Sequence, residues 1–367
     1  MSYRVRLLLV AVTLAVLHAE SAQAEIAIGA AGPLSGQEKG QGDNMRRGAE
    51  MAVADLNARG GVLGQRVKLI VVDDACDPDQ AVAVANQLVS QRVAMVSGHL
   101  CSSCSIPASK IYTKAGIVMI SPGSTNPMLT DGGAPNVFRV IGRDDQQGRV
   151  AGNYLADHWG KRKIAILHDE QTYGKGLAEE TRKQLSKRGV PVAMYEEYKY
   201  GEKDYSGLVS KMRQARIVVA YVGGYVTESA LILRQARDQG YGLEIVSGDG
   251  LSDNEFWLIT GPAGEGAVFT FGADPRRNPE AAPVVERFRA AKYEPDGYTL
   301  YAYGGVQAWA QAVARAGSLD VGKVTAALHG HQFDTVLGKI SFDKKGDVTP
   351  SAWVWYIWKN GKYVPRK

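Results

Sequence analysis

Long apolar runs are nearly missing from this chain of 367 residues. Residues 7–17 form one, but it is too short to span a bilayer, and no later stretch is long and apolar enough to do so. Cysteine is scarce, with three residues, which excludes a disulfide-dense scaffold. Histidine is scarce too, and the six present show no metal-ligand spacing. His329 and His331, two apart near an expected helix end, would not share a helix face. The sequence holds no P-loop, no GxGxxG after a strand, no GxSxG elbow and no HExxH, so the common nucleotide, hydrolase and zinc-protease chemistries have no seat. Lysine and arginine number 43 against 38 acids, a net charge of +5. The basic residues are scattered, without a dense run or interleaved aromatics, which argues against nucleic acid as a partner. No metal centre or cofactor is expected.

The amino terminus reads as a secretory signal. Arg4 and Arg6 precede the apolar run, and Ala22-Gln23-Ala24 is a small-residue cleavage site before Glu25. A membrane anchor is the alternative reading of this segment. No cysteine lies near the cleavage point to carry a lipid. A hydrophobic share of 45% is ordinary for a globular protein. A chain of this length is expected to form two domains, since single cores stop growing near roughly 250–300 residues.

Strand-like and helical segments alternate. Strands are expected at 26–31, 67–72, 93–96 and 117–121, with a helix after the first carrying Met45, Ala49, Ala52, Val53 and Leu56 on one face. That helix should stop at Gly60-Gly61, and the next carries Ala81, Val84, Ala85 and Leu88. After 137–141 the pattern restarts, with strands at 164–168, 217–222 and 244–247 separated by helices, one at about 227–239. The carboxyl-terminal part holds helices near 281–292, 298–316 and 321–329, then strand-like runs at 338–342 and 352–358. The βα alternation implies an α/β fold of doubly wound parallel sheets in two lobes.

Two loops stand out, DDACDP at 73–78 and GHLCSSCS at 98–105. Each follows a strand and opens a helix, so both belong to one rim of a parallel sheet, where such folds bind small molecules. In an oxidising compartment three cysteines imply one bridge and one spare thiol. Cys76–Cys101 would tie the two rim loops together, and a Cys101-Ser-Ser-Cys104 redox pair is the alternative. Ser102 sits at a helix start, a seat for a carboxylate, and Gly123, Ser124 and Thr125 form a second small hydroxyl-rich loop. Asp249, in a Gly-Asp-Gly turn after a strand, suits an ammonium group, while Tyr173, Tyr225 and Tyr298 suit pocket walls. Taken singly, Ser102 and Thr125 could be helix caps, Asp249 a turn residue and Tyr225 a packing residue. Together, on loops of one rim, they suit a zwitterionic amino acid.

The chain resembles the periplasmic leucine/isoleucine/valine-binding proteins of ABC transport systems. The resemblance runs from about Glu25 to the last strands. It is carried by GPLSG (32–36), ADLNARGG (54–61), DDACDP with QAVAVAN (80–86), GHLCSS (98–103), YGKG (173–176), GEKDYS (201–206), GGY (223–225) and LRQAR (233–237). It implies a type I periplasmic binding protein, two lobes joined by a three-segment hinge. One lobe would hold 25–142 with 274–349, and the other 143–273 with 350–367. It implies a carboxylate on Ser102, both charged groups near Gly123 and Thr125, an ammonium on Tyr225 and Asp249, side-chain contacts from Tyr173 and Tyr298, and a Cys76–Cys101 bridge. Departures are visible: Gln41 stands where the family has an aromatic residue beside the ligand side chain, PGSTNP (122–127) replaces a more alanine-rich loop, Cys104 is extra, and Asp249 stands for a glutamate. A periplasmic monomer is expected, binding leucine, isoleucine, valine or another neutral amino acid and serving a membrane permease. Relatives that bind amides, urea or aromatic acids, or that act as ligand sensors, are the alternative, and an exported enzyme has no residue constellation behind it.

Overall fold

The computed structural model describes residues 25–366, and the expected signal segment lies outside the described residues. Five parallel strands make the first sheet: β1 (Ile26–Gly32), β2 (Val67–Asp73), β3 (Met95–Gly98), β4 (Val118–Ser121) and β5 (Val137–Arg139), in the order β2-β1-β3-β4-β5. The second sheet is built from β6 (Ile164–His168), β7 (Met194–Glu197), β8 (Val219–Gly223), β9 (Glu244–Ser247) and β10 (Val268–Gly272), in the order β7-β6-β8-β9-β10. The two orders are the same. Next come β11 (Phe333–Thr335), β12 (Gly338–Phe342) and β13 (Val348–Thr349), a small antiparallel sheet. β14 (Trp353–Lys359) and β15 (Lys362–Pro365) extend the second sheet antiparallel at its β10 edge. Among the described residues no helix is long and apolar enough to cross a membrane.

Local sequence explains the elements. β3, β4, β6, β8 and β10 are buried along their whole length, as parallel strands covered by helices on both faces must be. Helix Pro78–Ser90 begins with proline at its first position, and the Asp77 side chain accepts a bond from Gln80 N. Its buried face is Ala81, Val84, Ala85 and Leu88, the expected stripe. Helix Lys39–Ala58 buries Met45, Ala49, Ala52 and Val53. Beyond it Gly61, at φ +80°, lies so close to Gln65 O that a Cβ would clash. Gly48 lets this helix close on helix Thr299–Ala316, where an added Cβ would meet Thr299 O at 2.0 Å.

Two elements carry little sequence signal and emerge only in the structure. β7 is a half-exposed edge strand with acidic residues, and helix Ser206–Gln214 buries only Val209 and Met212. β10, a five-residue apolar run, also lies outside the sequence expectation. The strand expected at 93–96 is shifted to Met95–Gly98 because its ladder partner β1 sets the register, pairing Ala31 with Gly98.

The chain passes between the two main sheets three times. It leaves the first after β5, returns after β10 to place helix Thr299–Ala316 against helix Lys39–Ala58, and re-enters the second sheet at β14. In each sheet the strand order reverses around one point, between β1 and β3 and between β6 and β8. Crevices form at such points, outside the carboxyl ends of the strands.

Cys76 and Cys101 are bridged, with a Cα–Cα distance of 5.6 Å. The alternative Cys101–Cys104 pair is therefore absent, and Cys104 is a buried free thiol. Burial, with the nearby Asp74 carboxylate, pushes that thiol up. A second tie runs beside the bridge. His99 Nδ1 lies 2.6 Å from Asp74 Oδ2 and His99 Nε2 lies 3.0 Å from the Tyr112 hydroxyl.

The bridge closes a loop over a sequence separation of 25, so the Cys76→Ser/Cys101→Ser pair is expected to lose about 3 kcal/mol of unfolding free energy. Denaturant titration of oxidised wild type against the double variant checks this. An unchanged midpoint would show that the His99–Asp74 tie suffices.

Candidate functional site

The loops that leave the strand ends of the two sheets face one another. Gln41, Leu100, Ser102 and Gly123 come from the first series of elements. Tyr173, Tyr225, Asp249 and Gly250 come from the second, and Tyr298 precedes helix Thr299–Ala316. These nine residues line one cavity of about 10 Å³, room for about one water molecule.

Each side chain is placed by its element. Ser102 opens helix Ser102–Ala115, where the first backbone N–H groups have no acceptor within the helix. Cys101 holds the cap position without a side-chain bond, so Ser102 is not acting as a cap. Its hydroxyl accepts a long bond, 3.4 Å, from Asn126 N. Gly123 is pressed between Leu100 and Tyr298, and a Cβ there would meet Leu100 Cδ1 at 2.6 Å. The loop that carries it is pinned from below: fully buried Arg139 donates to Ser124 O at 2.9 Å and to Asn126 O at 3.0 Å.

Asp249 is the most heavily bonded of the group. Its Oδ1 accepts from Tyr173 OH at 2.8 Å and from Gln147 Nε2 at 3.0 Å, and its Oδ2 from Tyr298 OH at 2.7 Å. It is 1% exposed. Burial raises its carboxyl above the ordinary value, and the bonds from Tyr298, Gln147 and Tyr173 pull it back. The Tyr173 hydroxyl also accepts from Gly250 N at 3.1 Å. The Tyr173 and Tyr225 rings lie 5.1 Å apart.

Two of the sequence candidates lie outside this cavity. Ser124 spends its hydroxyl on Leu100 O at 2.7 Å and on Ser105, inside its own loop. Thr125 is buried with its hydroxyl against the Asp144 carboxylate, and it caps no helix. Its carbonyl accepts from Asp144 N.

Sequence reading passed over Gln147, Asp144, Leu100 and Gly250. Asp144 and Gln147 share a face one turn apart in helix Asp144–Trp159, and the buried Asp144 carboxylate lies against the Thr125 hydroxyl. Burial and the nearby Asp249 push Asp144 well up. Their only signal was the polar start of that helix.

Beside Tyr225 lies an acidic cluster that sequence reading also missed. Glu38 precedes helix Lys39–Ala58, Asp169 follows β6, and Glu228 lies in the first turn of helix Val226–Asp238. Tyr200 OH donates to Glu38 Oε1, Gln37 Nε2 and Gly201 N donate to Glu228 Oε1, and Gln171 N donates to Asp169 Oδ1. The second oxygen of each acid is unpartnered. Burial and the facing Glu228 push Asp169 up to about 8. Burial, Glu228 and Glu255 raise Glu38 well above its ordinary value. Among the described residues no group of three or more His, Cys, Asp or Glu is arranged to hold a metal ion.

Contacts close the space between the two halves. Gln41 Nε2 donates to Gly250 O at 2.9 Å, Asn126 Nδ2 to Thr172 O at 2.8 Å, and Gln37 Nε2 to Glu228 Oε1 at 2.8 Å. The result is a buried hollow with hydroxyl and backbone donors on one wall and a fixed carboxylate on the other. Such a hollow suits a small molecule with one anionic and one cationic end.

A family model described as periplasmic binding protein matches residues 25–362. A Leu/Ile/Val-binding protein homolog 2 of Brucella abortus is 47% identical over 340 residues, covering 92% of each chain. The solved leucine-binding protein of Thermotoga maritima superposes with a TM-score of 0.86 at 27% identity, over 93% of this chain and 98% of that one. A branched-chain amino acid transporter substrate-binding protein of Streptococcus pneumoniae, solved with isoleucine, gives 0.82 at 26%, over 94% and 100%. All three are binding proteins rather than enzymes.

The acidic cluster carries a pH dependence. A carboxyl raised in the folded state keeps a proton that the unfolded chain has lost, so stability falls as pH rises from about 4 towards 8. Asp169→Asn is expected to flatten that fall and to raise unfolding free energy at pH 8 by on the order of 1–3 kcal/mol. Urea titrations of both proteins at pH 5 and pH 8 check it, and equal slopes would contradict the assignment.

Proposed function

The chain belongs to the periplasmic binding protein family, and from that premise we propose that it captures an amino acid zwitterion between its lobes and delivers it to an ABC permease. The ligand is leucine, isoleucine, valine or another neutral amino acid. The proposed lobes are 25–142 with 274–349, and 143–273 with 350–367. The proposed setting is the periplasm, reached by cleavage of residues 1–24, and the working unit is a monomer.

In this reading the α-carboxylate docks first, on the Ser102 hydroxyl, the backbone of Gly123 and the first turn of helix Ser102–Ala115. Each charge-assisted bond there contributes about 1.5–3 kcal/mol. Thr125, whose hydroxyl lies against Asp144, becomes a partner if the loop shifts on binding. The second lobe then brings Asp249 and Tyr225 onto the ammonium group. Tyr173, Tyr298, Leu100 and Gln41 surround the side chain. Micromolar affinity needs about 8 kcal/mol, which two paired charges and a buried side chain supply after association costs.

The single observation that carries the reading is Asp249. One buried carboxylate, held by Tyr173 and Gln147 on one side and by Tyr298 on the other, looks into the same hollow as Ser102 and Gly123. The hollow is too small for an amino acid as it stands, so the lobes must part to load it and close around it.

Asp249→Asn keeps the shape and removes the charge. It is expected to weaken amino acid binding at least about tenfold, or about 1.4 kcal/mol. Ser102→Ala is expected to weaken binding with little change in melting temperature. Calorimetric titration with a neutral amino acid that binds wild type decides both. Unchanged affinity in Asp249→Asn would remove the ammonium role, and a change in melting temperature alone in Ser102→Ala would leave that serine structural.

A further inference from the structure

Gln41 occupies the third position of helix Lys39–Ala58 and is 1% exposed. Its Nε2 donates to Gly250 O across the cleft at 2.9 Å. That bond fixes which end of the amide is which, and leaves Oε1 buried in the cavity wall with no donor. No neighbour donates to it here: the Ser102 and Tyr225 hydroxyls also line the cavity but neither bonds Gln41 Oε1, and in the zwitterion reading both serve the charged ends of the ligand. A phenol has a single hydrogen, and those of Tyr173 and Tyr298 are both committed to Asp249. Leu100 is apolar and Gly123 has no side chain. A donor is thus left for whatever enters the cavity to supply.

We infer that Gln41 is a specificity-determining residue, and that the pocket prefers amino acids whose side chain donates a hydrogen bond, a hydroxyl or a carboxamide, over aliphatic ones of the same shape. The inference rests on the zwitterion reading above. A site built around a buried acceptor rejects an analogue that cannot satisfy it, because the acceptor is then left desolvated and unpaired. The Gln41–Gly250 bond is a closing contact for every ligand, so its loss affects all of them equally and cancels from a ratio of affinities.

The test is calorimetry with two near-isosteric pairs, threonine against valine and asparagine against leucine. The full chain is used after removal of any bound solute by unfolding and refolding. Threonine and asparagine are expected to bind about tenfold more tightly than their partners. Gln41→Leu is expected to bring both ratios to one or below. Wild type that prefers valine and leucine overturns the inference while leaving the zwitterion reading intact. So does a Gln41→Leu variant that weakens both members of each pair by one factor, the behaviour of a residue that serves the ammonium group or a water. Failure of all four amino acids to bind overturns the zwitterion reading and this inference with it. If Gln41→Leu does not fold, the wild-type ratios alone decide.

Discussion

A carboxylate removed from water must be compensated or must give up its charge. Asp249 sits wholly inside this protein, and the rest of the site is arranged around that fact. Tyr173 and Gln147 hold it from its own half, and Tyr298 reaches it from the other. None of the three donors carries a charge. The carboxylate is therefore oriented without being neutralised, which leaves it able to pair with a cation brought from outside. Of the three bonds only that from Tyr298 crosses between the halves, so in the proposed reading the charge that would meet a ligand is also part of the closing contact.

Repetition of one topology places the opposing wall. Both main sheets run in the same strand order, and each has its reversal point between the first and third strands of its own series. Loops beside those points carry Ser102 in one half and Tyr173, Tyr225 and Asp249 in the other. The disulfide and the His99–Asp74 tie stiffen the first rim, and Arg139 fixes the loop of Gly123 from beneath. A rigid rim matters because charge-assisted hydrogen bonds lose their advantage when the donors must be ordered on binding.

The interface between the halves is polar and incompletely satisfied. Glu38, Asp169, Glu228 and Asp144 each bury at least one carboxylate oxygen without a partner, and Gln41 and Gln147 each leave an amide oxygen in the same condition. Folding for stability alone would not keep such groups. A cleft that must open, admit a polar guest and release it gains from a closed form that is only modestly favoured.

Sequence alone determined the βα alternation and the rim loops, favoured Cys76–Cys101 over Cys101–Cys104, and named seven of the nine residues that line the hollow, all but Leu100 and Gly250. These are local signals: apolar runs of strand length, caps, glycine stops and short motifs, each written within a few residues. The edge strand Met194–Glu197 escaped because a half-exposed strand with acids has no apolar run to read. Only the tertiary structure turned Ser124 away into its own loop, set Thr125 against Asp144, brought Gln147 to a residue 102 positions later, and gathered Glu38 with Asp169 and Glu228. Those outcomes depend on how two separately built halves meet, and no local pattern encodes the approach of side chains so far apart in the chain.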